Sequence, residues 1–382
     1  MDISVVIVNY NVRFFLEQCI LSIQAASKNL KVEIIVVDNN SKDDSCLFLQ
    51  SNYPEVLLIA NKNNVGFSKA NNQGVEIANG EFVFILNPDT ILAEDTLEKL
   101  IHFAKNTNNI GIIGTQLIDG SGTFLPESKR GIPTPSVAFL KLFGVSKKQQ
   151  YKYYARYLGN EDTGKVDILA GACMFMKKTV YQKVGGFDED YFMYGEDIDL
   201  SYKVLKLGLD NYYFADTKII HYKGESTTKN LKNLKNFNNA MHIFYKKHFN
   251  INWLFNFITS LGIKVWFVFN YLKFVRKKKV KPTAVEHLIY IGEDAEFFQI
   301  LEKKYAKITQ STFQNLIATL SDSMYNSVIF DNDYVSNKAI IETMVLLNAK
   351  NISFKIKPKG TNYIIGSVTS KNKGKIIDFS KN

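Results

Sequence analysis

Carboxylates crowd into one short stretch of this chain. Glu196, Asp197 and Asp199 fall within four residues, directly after Gly195. On a helix, Glu196 and Asp199 share a face and Asp197 points elsewhere. Crowded carboxylates raise one another's pKa, which suits a general base. A helix N-terminus also attracts acidic side chains through its dipole, so this stretch alone leaves a structural role open.

A second set of polar side chains follows the apolar run at residues 81–86. Asp89 lies just after that run, and His221 ends a later apolar run. Mg²⁺ and Mn²⁺ prefer oxygen ligands and are often held by one or two carboxylates together with substrate phosphates. Asp89 is therefore a predicted ligand of a divalent metal, with His221 as a candidate beside it. A carboxylate in a proline turn and a lone structural histidine are the alternatives.

Two further polar segments suit a nucleotide. Asp38 ends the second apolar run, and a carboxylate there can accept hydrogen bonds from a base or a ribose hydroxyl. The alternative is that Asp38, with Ser41, caps the next helix. Asn64 and Gly66 precede a predicted helix whose N-terminus favours negative charge, although this composition alone indicates only a turn.

These polar segments alternate with elements of a regular sheet. Apolar runs rich in Val, Ile or Phe predict buried strands, and the amphipathic stretches between them predict helices. The predicted strands are residues 3–8, 32–37, 55–60 and 81–86, and the predicted helices are residues 12–26, 42–50 and 67–78. This alternation predicts a parallel, doubly wound sheet, which binds ligands at the carboxyl ends of its strands.

The rest of the chain predicts a long loop and then a second α/β unit. Residues 126–165 hold three prolines and predict a functional loop with some helix. The later predicted elements are a strand at 166–177, helices from Glu196 and at 231–249, strands at 287–291, 327–331, 352–356 and 363–368, and helices at 295–304 and 337–347. We therefore expect a main domain at 1–250, a connecting segment at 251–282, and a small α/β domain of unknown function at 283–382.

The composition is that of a globular protein. The 382 residues are 46% hydrophobic and 22% charged, which excludes a disordered chain. Cys19, Cys46 and Cys173 lie far apart without a CxxC pair, so we expect reduced thiols rather than a disulfide framework or a zinc site. No signal peptide is apparent, which predicts a cytoplasmic protein.

The positive charge is concentrated in one region. The net charge is +10, yet residues 1–200 hold 19 basic and 24 acidic side chains, whereas residues 201–281 hold 16 basic and 3 acidic ones. Residues 252–275 predict an amphipathic helix, and its central Lys264 argues against a membrane span. With the basic stretch behind it, this helix is predicted to lie on an anionic membrane surface. A helix packed on the protein core, a solvated surface and a nucleic-acid site are the alternatives.

The order of the motifs narrows the prediction. Residues 3–227 contain, in sequence, VVIVNYN, IVVDNNS, NNVGFSKANNQG, FILNPDT, AGACMFMKK, VGGFDEDYFMYGEDIDLSYK and HYKGEST. This set resembles family 2 of the inverting glycosyltransferases, and within it the rhamnosyltransferase-like members of bacterial polysaccharide pathways. The resemblance implies an α/β fold of the GT-A type, with a Rossmann-like, mostly parallel sheet. The amphipathic segment and the small C-terminal α/β domain follow it.

The resemblance also implies residue roles. It assigns nucleotide binding, with Asp38 on the base, to Val8, Tyr10, Asp38, Asn64, Gly66 and Asn87. Asn87 replaces the first Asp of the family's Asp-x-Asp motif, which leaves Asp89 as the metal ligand, with His221 reaching the metal or the diphosphate. Asp197 becomes the catalytic base and Glu196 its neighbour in the catalytic pair. Gly171, Ala172 and Asp199 line the sugar and acceptor pocket.

The implied reaction is the transfer of a sugar, rhamnose or another hexose, with inversion. The donor is a dTDP- or UDP-sugar, the cofactor Mn²⁺ or Mg²⁺, and the acceptor a glycan or a polyprenyl-linked sugar on the inner face of the plasma membrane. No nucleic-acid partner is predicted. A rival nucleotidyltransferase needs a glycine-rich basic loop after the first strand, where residues 9–11 are Asn, Tyr and Asn. A rival non-catalytic sugar-nucleotide-binding protein has no need of the Glu196–Asp197 pair.

Overall fold

The computed structural model contains a large mixed sheet followed by a smaller one. It describes residues 1–134, 151–225, 231–249, 287–320, 325–350, 352–367 and 373–380. The strands before residue 225 are β1 Ile3–Asn9, β2 Val32–Asp38, β3 Leu57–Ala60, β4 Phe82–Leu86, β5 Thr90–Leu92, β6 Ile110–Ile118, β7 Lys129–Arg130, β8 Gly164–Val166, β9 Ile168–Leu169, β10 Cys173–Lys177 and β11 Asp210–His221. The helices up to residue 249 are α1 Arg13–Ala26, α2 Ser45–Asn52, α3 Phe67–Ile77, α4 Thr96–Asn106, α5 Lys178–Lys183, α6 Glu196–Lys206 and α7 Leu231–His248.

The main sheet is mostly parallel at its first edge and mixed beyond it. Its order is β3-β2-β1-β4-β10-β6-β11-β5, with β8 also paired to β11. The first four strands in this order are parallel, as predicted. β10 then inserts antiparallel between β4 and β6, and β5 runs antiparallel to β11. The α/β prediction is confirmed, while the antiparallel insertions were not anticipated.

Alternating side chains of the strands supply two cores, one on each face of this sheet. Ile3, Val5 and Ile7 of β1 pack with residues of α1 and α4. Val6 points to the other face, where it packs with residues of α3 and α6. This alternation follows from the pleat of a strand, and each fully buried aliphatic side chain stabilises the fold by roughly 1.5–3 kcal/mol. The buried strands thereby fix the sheet edge that carries the polar residues.

The predicted single strand at 166–177 is wrong. The structure divides this stretch into the end of β8, the short β9 and the longer β10. A turn between β9 and β10 is closed by the Cys173 N–H, which donates to the Ala170 carbonyl at 3.2 Å. The apolar residues on both sides of the break favour a strand, although the Gly171 between them is typical of a bend. The predicted loop at 126–165 includes a 3₁₀ turn at Pro126–Ser128 and β7, which pairs with β9.

The smaller sheet has six strands and is parallel over four of them. Its strands are β12 Leu288–Ile291, β13 Ile308–Ser311, β14 Ser327–Asp331, β15 Ser353–Lys357, β16 Tyr363–Gly366 and β17 Lys375–Asp378, and its helices are α8 Ala295–Lys304, α9 Leu316–Thr319 and α10 Asn337–Leu347. The sequence missed β13 and β17, which are short and mostly not buried. It predicted α8 and α10 correctly, and in the structure the Asp294 and Ser336 side chains cap their first turns.

One hydrophobic core is shared by the two sheets. Phe15 of α1 and Tyr222 after β11 belong to the same buried cluster as Ile340 and Met344 of α10. The second unit thus packs directly on the first. The predicted connecting segment at 251–282 lies outside the described residues. Of the helices in the described part of the chain, none combines the length and the apolar character that a membrane span requires.

Candidate active site

The ends of β1 and β2 form a hydrogen-bonded corner at the carboxyl edge of the main sheet. Asn9 Nδ2 donates to Asp38 Oδ1 at 2.8 Å, and the Ser41 N–H donates to Asp38 Oδ2 at 2.9 Å. Asp38 is buried, and these bonds orient its carboxylate while leaving further lone pairs free to accept. The alternative that Asp38 and Ser41 cap the next helix is wrong, because α2 begins after Asp44.

The loop before α3 is tied to the same corner. The Asn39 side chain donates to Asn64 Oδ1 at 3.0 Å and accepts from the Val65 N–H at 2.9 Å. Gly66 has a φ of 89°, and a Cβ there would lie 2.7 Å from the Phe192 carbonyl oxygen. Only glycine fits this left-handed backbone and close approach. The predicted nucleotide loop therefore contacts the segment that leads into the acidic cluster.

The remaining predicted nucleotide residues lie at the same edge. Val8 packs with Val37 and Ala70, and Tyr10 follows the last residue of β1. Tyr10 is half-buried. These positions agree with a nucleotide corner, and contact with a base stays a prediction.

Asp89 and His221 meet because β5 pairs antiparallel with β11. The register places His221 opposite Thr90, one residue after Asp89. His221 Nε2 lies 3.4 Å from Asp89 Oδ1 and 3.3 Å from Asn87 Nδ2. Burial raises the pKa of Asp89, but the charge and hydrogen bond of His221 outweigh it and hold that pKa below its ordinary value. Asp89 is therefore a buried carboxylate facing an imidazole.

This pair fits a divalent metal that is completed by other ligands. The 3.4 Å separation exceeds the roughly 2.7–2.9 Å of a good charge-assisted hydrogen bond. His221 Nδ1 is also buried, and no described residue is its hydrogen-bond partner. Within the part of the chain that the structure describes, no three His, Cys, Asp or Glu side chains converge as a metal site. Magnesium-type sites commonly use one or two protein ligands with water and substrate phosphates. Asp89 and His221 are consistent with that mode.

The second half of the site centres on Asp197 in the first turn of α6. Asp197 Oδ2 accepts from Arg130 Nη2 at 2.6 Å and from the Gly171 N–H at 3.2 Å. Arg130 also donates to the Leu169 carbonyl at 2.8 Å. The guanidinium forms an ion pair with this carboxylate and fixes its direction. Sequence reasoning missed Arg130, whose only signal was its place in the proline-rich loop.

Glu196 differs sharply from its neighbour. It is buried, and within the described ranges its Oε2 atom has no hydrogen-bond partner. Burial and the adjacent Asp197 charge raise the pKa of Glu196 to about 8. Glu196 is therefore mainly protonated at neutral pH, whereas Asp197 is the ion-paired carboxylate. The predicted division of roles between the two acids has a physical basis in this difference.

Asp199 turns into the protein. It is fully buried, with His248 Nε2 2.5 Å from its Oδ1 atom and Lys203 Nζ 3.3 Å from its Oδ2 atom. Tyr191 also donates to it at 3.4 Å. These contacts fix α6 against α7. They support the positioning of the helix by Asp199, and its predicted contact with an acceptor stays a prediction.

The turn between β9 and β10 joins the two halves of the site. A Cβ on Gly171 would lie 3.1 Å from the Asp197 Cβ, so a small residue is needed there. The next residue, Ala172, accepts from the Asn87 N–H through its carbonyl at 3.1 Å. The predicted sugar-pocket residues thus lie between the Asp89–His221 pair and Asp197.

Charges of alternating sign also connect the two halves. Lys223 and Glu127 form an ion pair. Burial raises the pKa of Glu127, yet Lys223 and, more weakly, His221 hold it below its ordinary value. Glu127 in turn favours the charged form of Arg130. Sequence reasoning did not single out Glu127, because nothing local distinguishes it from a solvated acid.

Residues 4–185 match the family model described as Glycosyl transferase family 2. These residues belong to family 2 of the glycosyltransferases, and the protein is a glycosyltransferase. The motif-based prediction of a glycosyltransferase is thereby confirmed over its two rivals. The match ends before α6, so the roles of Glu196 and Asp197 stay predictions.

Several characterised proteins are similar to this glycosyltransferase. It is 27% identical over 242 residues to N-acetylglucosaminyl-diphospho-decaprenol L-rhamnosyltransferase of Mycobacterium tuberculosis, covering 59% of this chain and 77% of that protein. It is 27% identical over 232 residues to the Escherichia coli rhamnosyltransferase WbbL, covering 58% and 83%. Among solved structures, Staphylococcus aureus TarS 1–349 aligns with a TM-score of 0.46 and 15% identity, covering 72% of this chain and 73% of that one.

Proposed function

We propose that this glycosyltransferase moves a sugar, rhamnose or another hexose, from a dTDP- or UDP-sugar to a hydroxyl of a growing cell-surface glycan or lipid-linked acceptor. The observation that carries the proposal is one sheet edge with two distinct ends. The Asp89–His221 pair lies at one end and the Arg130-bound Asp197 at the other, with the turn at residues 170–172 between them. Relatives with rhamnosyltransferase names support the sugar class.

The first end is proposed to hold the donor. Asp38 and the loop of Asn64 and Gly66 receive the nucleoside, because their polar groups are already oriented by Asn9 and Asn39. Asp89 and His221 would hold Mn²⁺ or Mg²⁺ together with the donor diphosphate. A bound divalent ion supplies neutralisation of the negative charge that develops on the leaving diphosphate.

The second end is proposed to activate the acceptor. Asp197 accepts the proton of the acceptor hydroxyl as its oxygen forms a bond to the anomeric carbon. The bond from that carbon to the diphosphate oxygen breaks, and its electron pair leaves with the diphosphate. Attack from the face opposite the leaving group inverts the configuration in one displacement, and no enzyme nucleophile is required. Arg130 fixes the direction of the Asp197 carboxylate.

Membrane attachment is a separate part of the proposal. Residues 252–281, which lie outside the described residues, are proposed to bind an anionic surface on the cytoplasmic side through their amphipathic and basic pattern. Replacing Trp253 and Trp266 by Glu should release the protein from anionic vesicles, and parent binding should weaken with salt. Vesicle sedimentation measures both. If the variant still sediments with vesicles, this segment is not the anchor.

A panel of sugar nucleotides tests the reaction class. We expect thermal stabilisation by dTDP- or UDP-sugars that increases with Mn²⁺, since binding to the folded state raises the unfolding temperature. The sugar nucleotide that stabilises the protein most should then support transfer to a lipid-linked or glycan acceptor. Mass spectrometry of the acceptor detects this transfer. A chain that neither binds nor turns over any member of the panel would contradict the proposal.

A further inference from the structure

The second sheet contacts the main domain beside the proposed diphosphate end. The Gly374 N–H, just before β17, donates to Glu225 Oε1 at 2.6 Å. Glu225 lies four residues after His221 in the chain and is only 5% exposed. The charges of Asp89, His221 and Lys373 all act on its carboxylate. Residues from both sheets therefore share one electrostatic environment at this point.

Close packing holds the β17 end of the second unit in place. A Cβ on Gly374 would lie 2.6 Å from Phe15 Cζ and 3.1 Å from Glu225 Oε1. Phe15 in turn stacks edge-on against Tyr222, with ring centroids 5.3 Å apart. The absence of a side chain at Gly374 lets its backbone reach Glu225. The backbone at position 373 is consequently held next to Glu225.

A second contact region fixes the same unit relative to Asp89. Both oxygens of Glu94 accept from the first turn of α10, from the Asn337 N–H at 2.7 Å and the Lys338 N–H at 2.9 Å. Lys338 Nζ also lies 2.7 Å from Asp95 Oδ2. Glu94 follows β5, the strand that begins directly after Asp89. The second unit is thus attached at two places, one that follows Asp89 in the chain and one that follows His221.

We propose that Lys373 is a donor-binding residue, supplied by the second unit to the diphosphate of the sugar nucleotide. The inference rests on the function proposed above, which places that diphosphate at Asp89 and His221. Lys373 is exposed, so its ammonium group is free to meet a ligand. A flexible lysine is a common phosphate partner as a point charge. Glu225 is then a positioning residue that anchors the backbone beside Lys373.

The test compares Lys373→Ala with Lys375→Ala, an exposed lysine two positions further along the chain. Calorimetry of the full chain measures the affinity for UDP, dTDP and GDP, each with Mn²⁺. We expect Lys373→Ala to bind the preferred nucleotide roughly 3- to 10-fold more weakly, as for loss of one partly screened charge pair. Its affinity should also depend less on salt. With the matching donor, KM should rise for Lys373→Ala and stay at the parent value for Lys375→Ala.

Each other result overturns the inference. Equal affinity for the parent and Lys373→Ala removes the residue from the donor site and leaves the proposed function standing. Equal weakening by Lys375→Ala assigns the effect to general surface charge. If the parent binds none of the three nucleotides, the proposed function and this inference fail together. Both lysines are exposed, so unfolding temperatures of the two variants should match that of the parent.

Discussion

The carboxyl edges of the two sheets carry similar residue types. They differ in whether their buried polar atoms have hydrogen-bond or ion-pair partners. At the main sheet, His221 Nδ1 and Glu196 Oε2 of the neighbouring α6 are buried without a hydrogen-bond partner among the described residues. In the second sheet, Asp331 at the end of β14 is fully buried with both oxygens engaged. Tyr290 donates to its Oδ2 atom at 2.5 Å, and Lys357 Nζ lies 3.2 Å from its Oδ1 atom. Polar atoms at the edge of the main sheet therefore remain available to a ligand, whereas those of the second sheet bind one another.

Lys357 is what neutralises the second edge. Its ammonium group lies 2.8 Å from Asp333 Oδ2 as well as near Asp331. Burial lowers the pKa of Lys357, but Asp333 and Asp331 outweigh it and raise that pKa above its ordinary value. Buried charges that satisfy one another form a structural network, and a missing partner is costly. Strand-end acids therefore indicate a site only where their partners are incomplete.

The largest effect should follow from a change at the carboxyl edge of the main sheet. Asp89→Ala should abolish transfer and weaken metal-dependent nucleotide binding, because it removes the carboxylate that is proposed to hold the metal. Asp333→Ala is the matched change at the second edge and should retain transfer. Turnover and nucleotide affinity with Mn²⁺ measure both variants. Full parent activity in EDTA would contradict the metal role of Asp89.

The next effect concerns the two acids of α6. Asp197→Asn keeps the shape but accepts no proton, so transfer should fall by roughly 10²–10⁴ while donor affinity stays close to that of the parent. Glu196→Gln should be milder, since Gln resembles the protonated acid already present. Donor affinity and turnover are measured side by side for both variants. A dead Glu196→Gln with an active Asp197→Asn would exchange the roles, and loss of donor binding in both would make the cluster structural.

A change at the carboxyl edge of the second sheet should lower the stability of the fold rather than the rate of transfer. Lys357→Met leaves Asp331 and Asp333 without their buried counter-charge, so unfolding free energy should fall by about 3–5 kcal/mol. Lys359→Met alters an exposed lysine nearby and serves as the control. Urea unfolding followed by circular dichroism measures the difference. Equal midpoints for the two variants would show that the second edge is not a structural network.

The smallest effect is a difference in pH dependence between the parent and Glu196→Gln. The pKa of Glu196 rises from 4.5 to about 8 in the folded protein, so its protonated form stabilises the fold. This contribution is complete below pH 4.5 and is lost as the pH rises through about 8. Unfolding temperatures from pH 4 to 9 should therefore decline more steeply for the parent than for the variant. Parallel curves would contradict the buried, unpartnered state of Glu196.

Local patterns in the sequence determined much of this molecule. The periodicity of apolar residues predicted β1, α3, α8 and α10 within a residue or two, because burial repeats with the period of each element. The ordered motifs predicted the glycosyltransferase family and singled out Asp89, Asp197 and His221. These inferences needed only neighbours in the chain.

Tertiary structure alone decided which of these residues have partners. Arg130 reaches Asp197 across 67 positions, and Gly374 reaches Glu225 across 149. The antiparallel insertion of β10 and the turn at Gly171 determine how the two ends of the site face each other. Such contacts depend on how whole helices and strands pack, and a short stretch of sequence does not determine that packing. An aspartate is a structural anchor at positions 199 and 331 but a candidate for chemistry at positions 89 and 197, because the fold sets its partners.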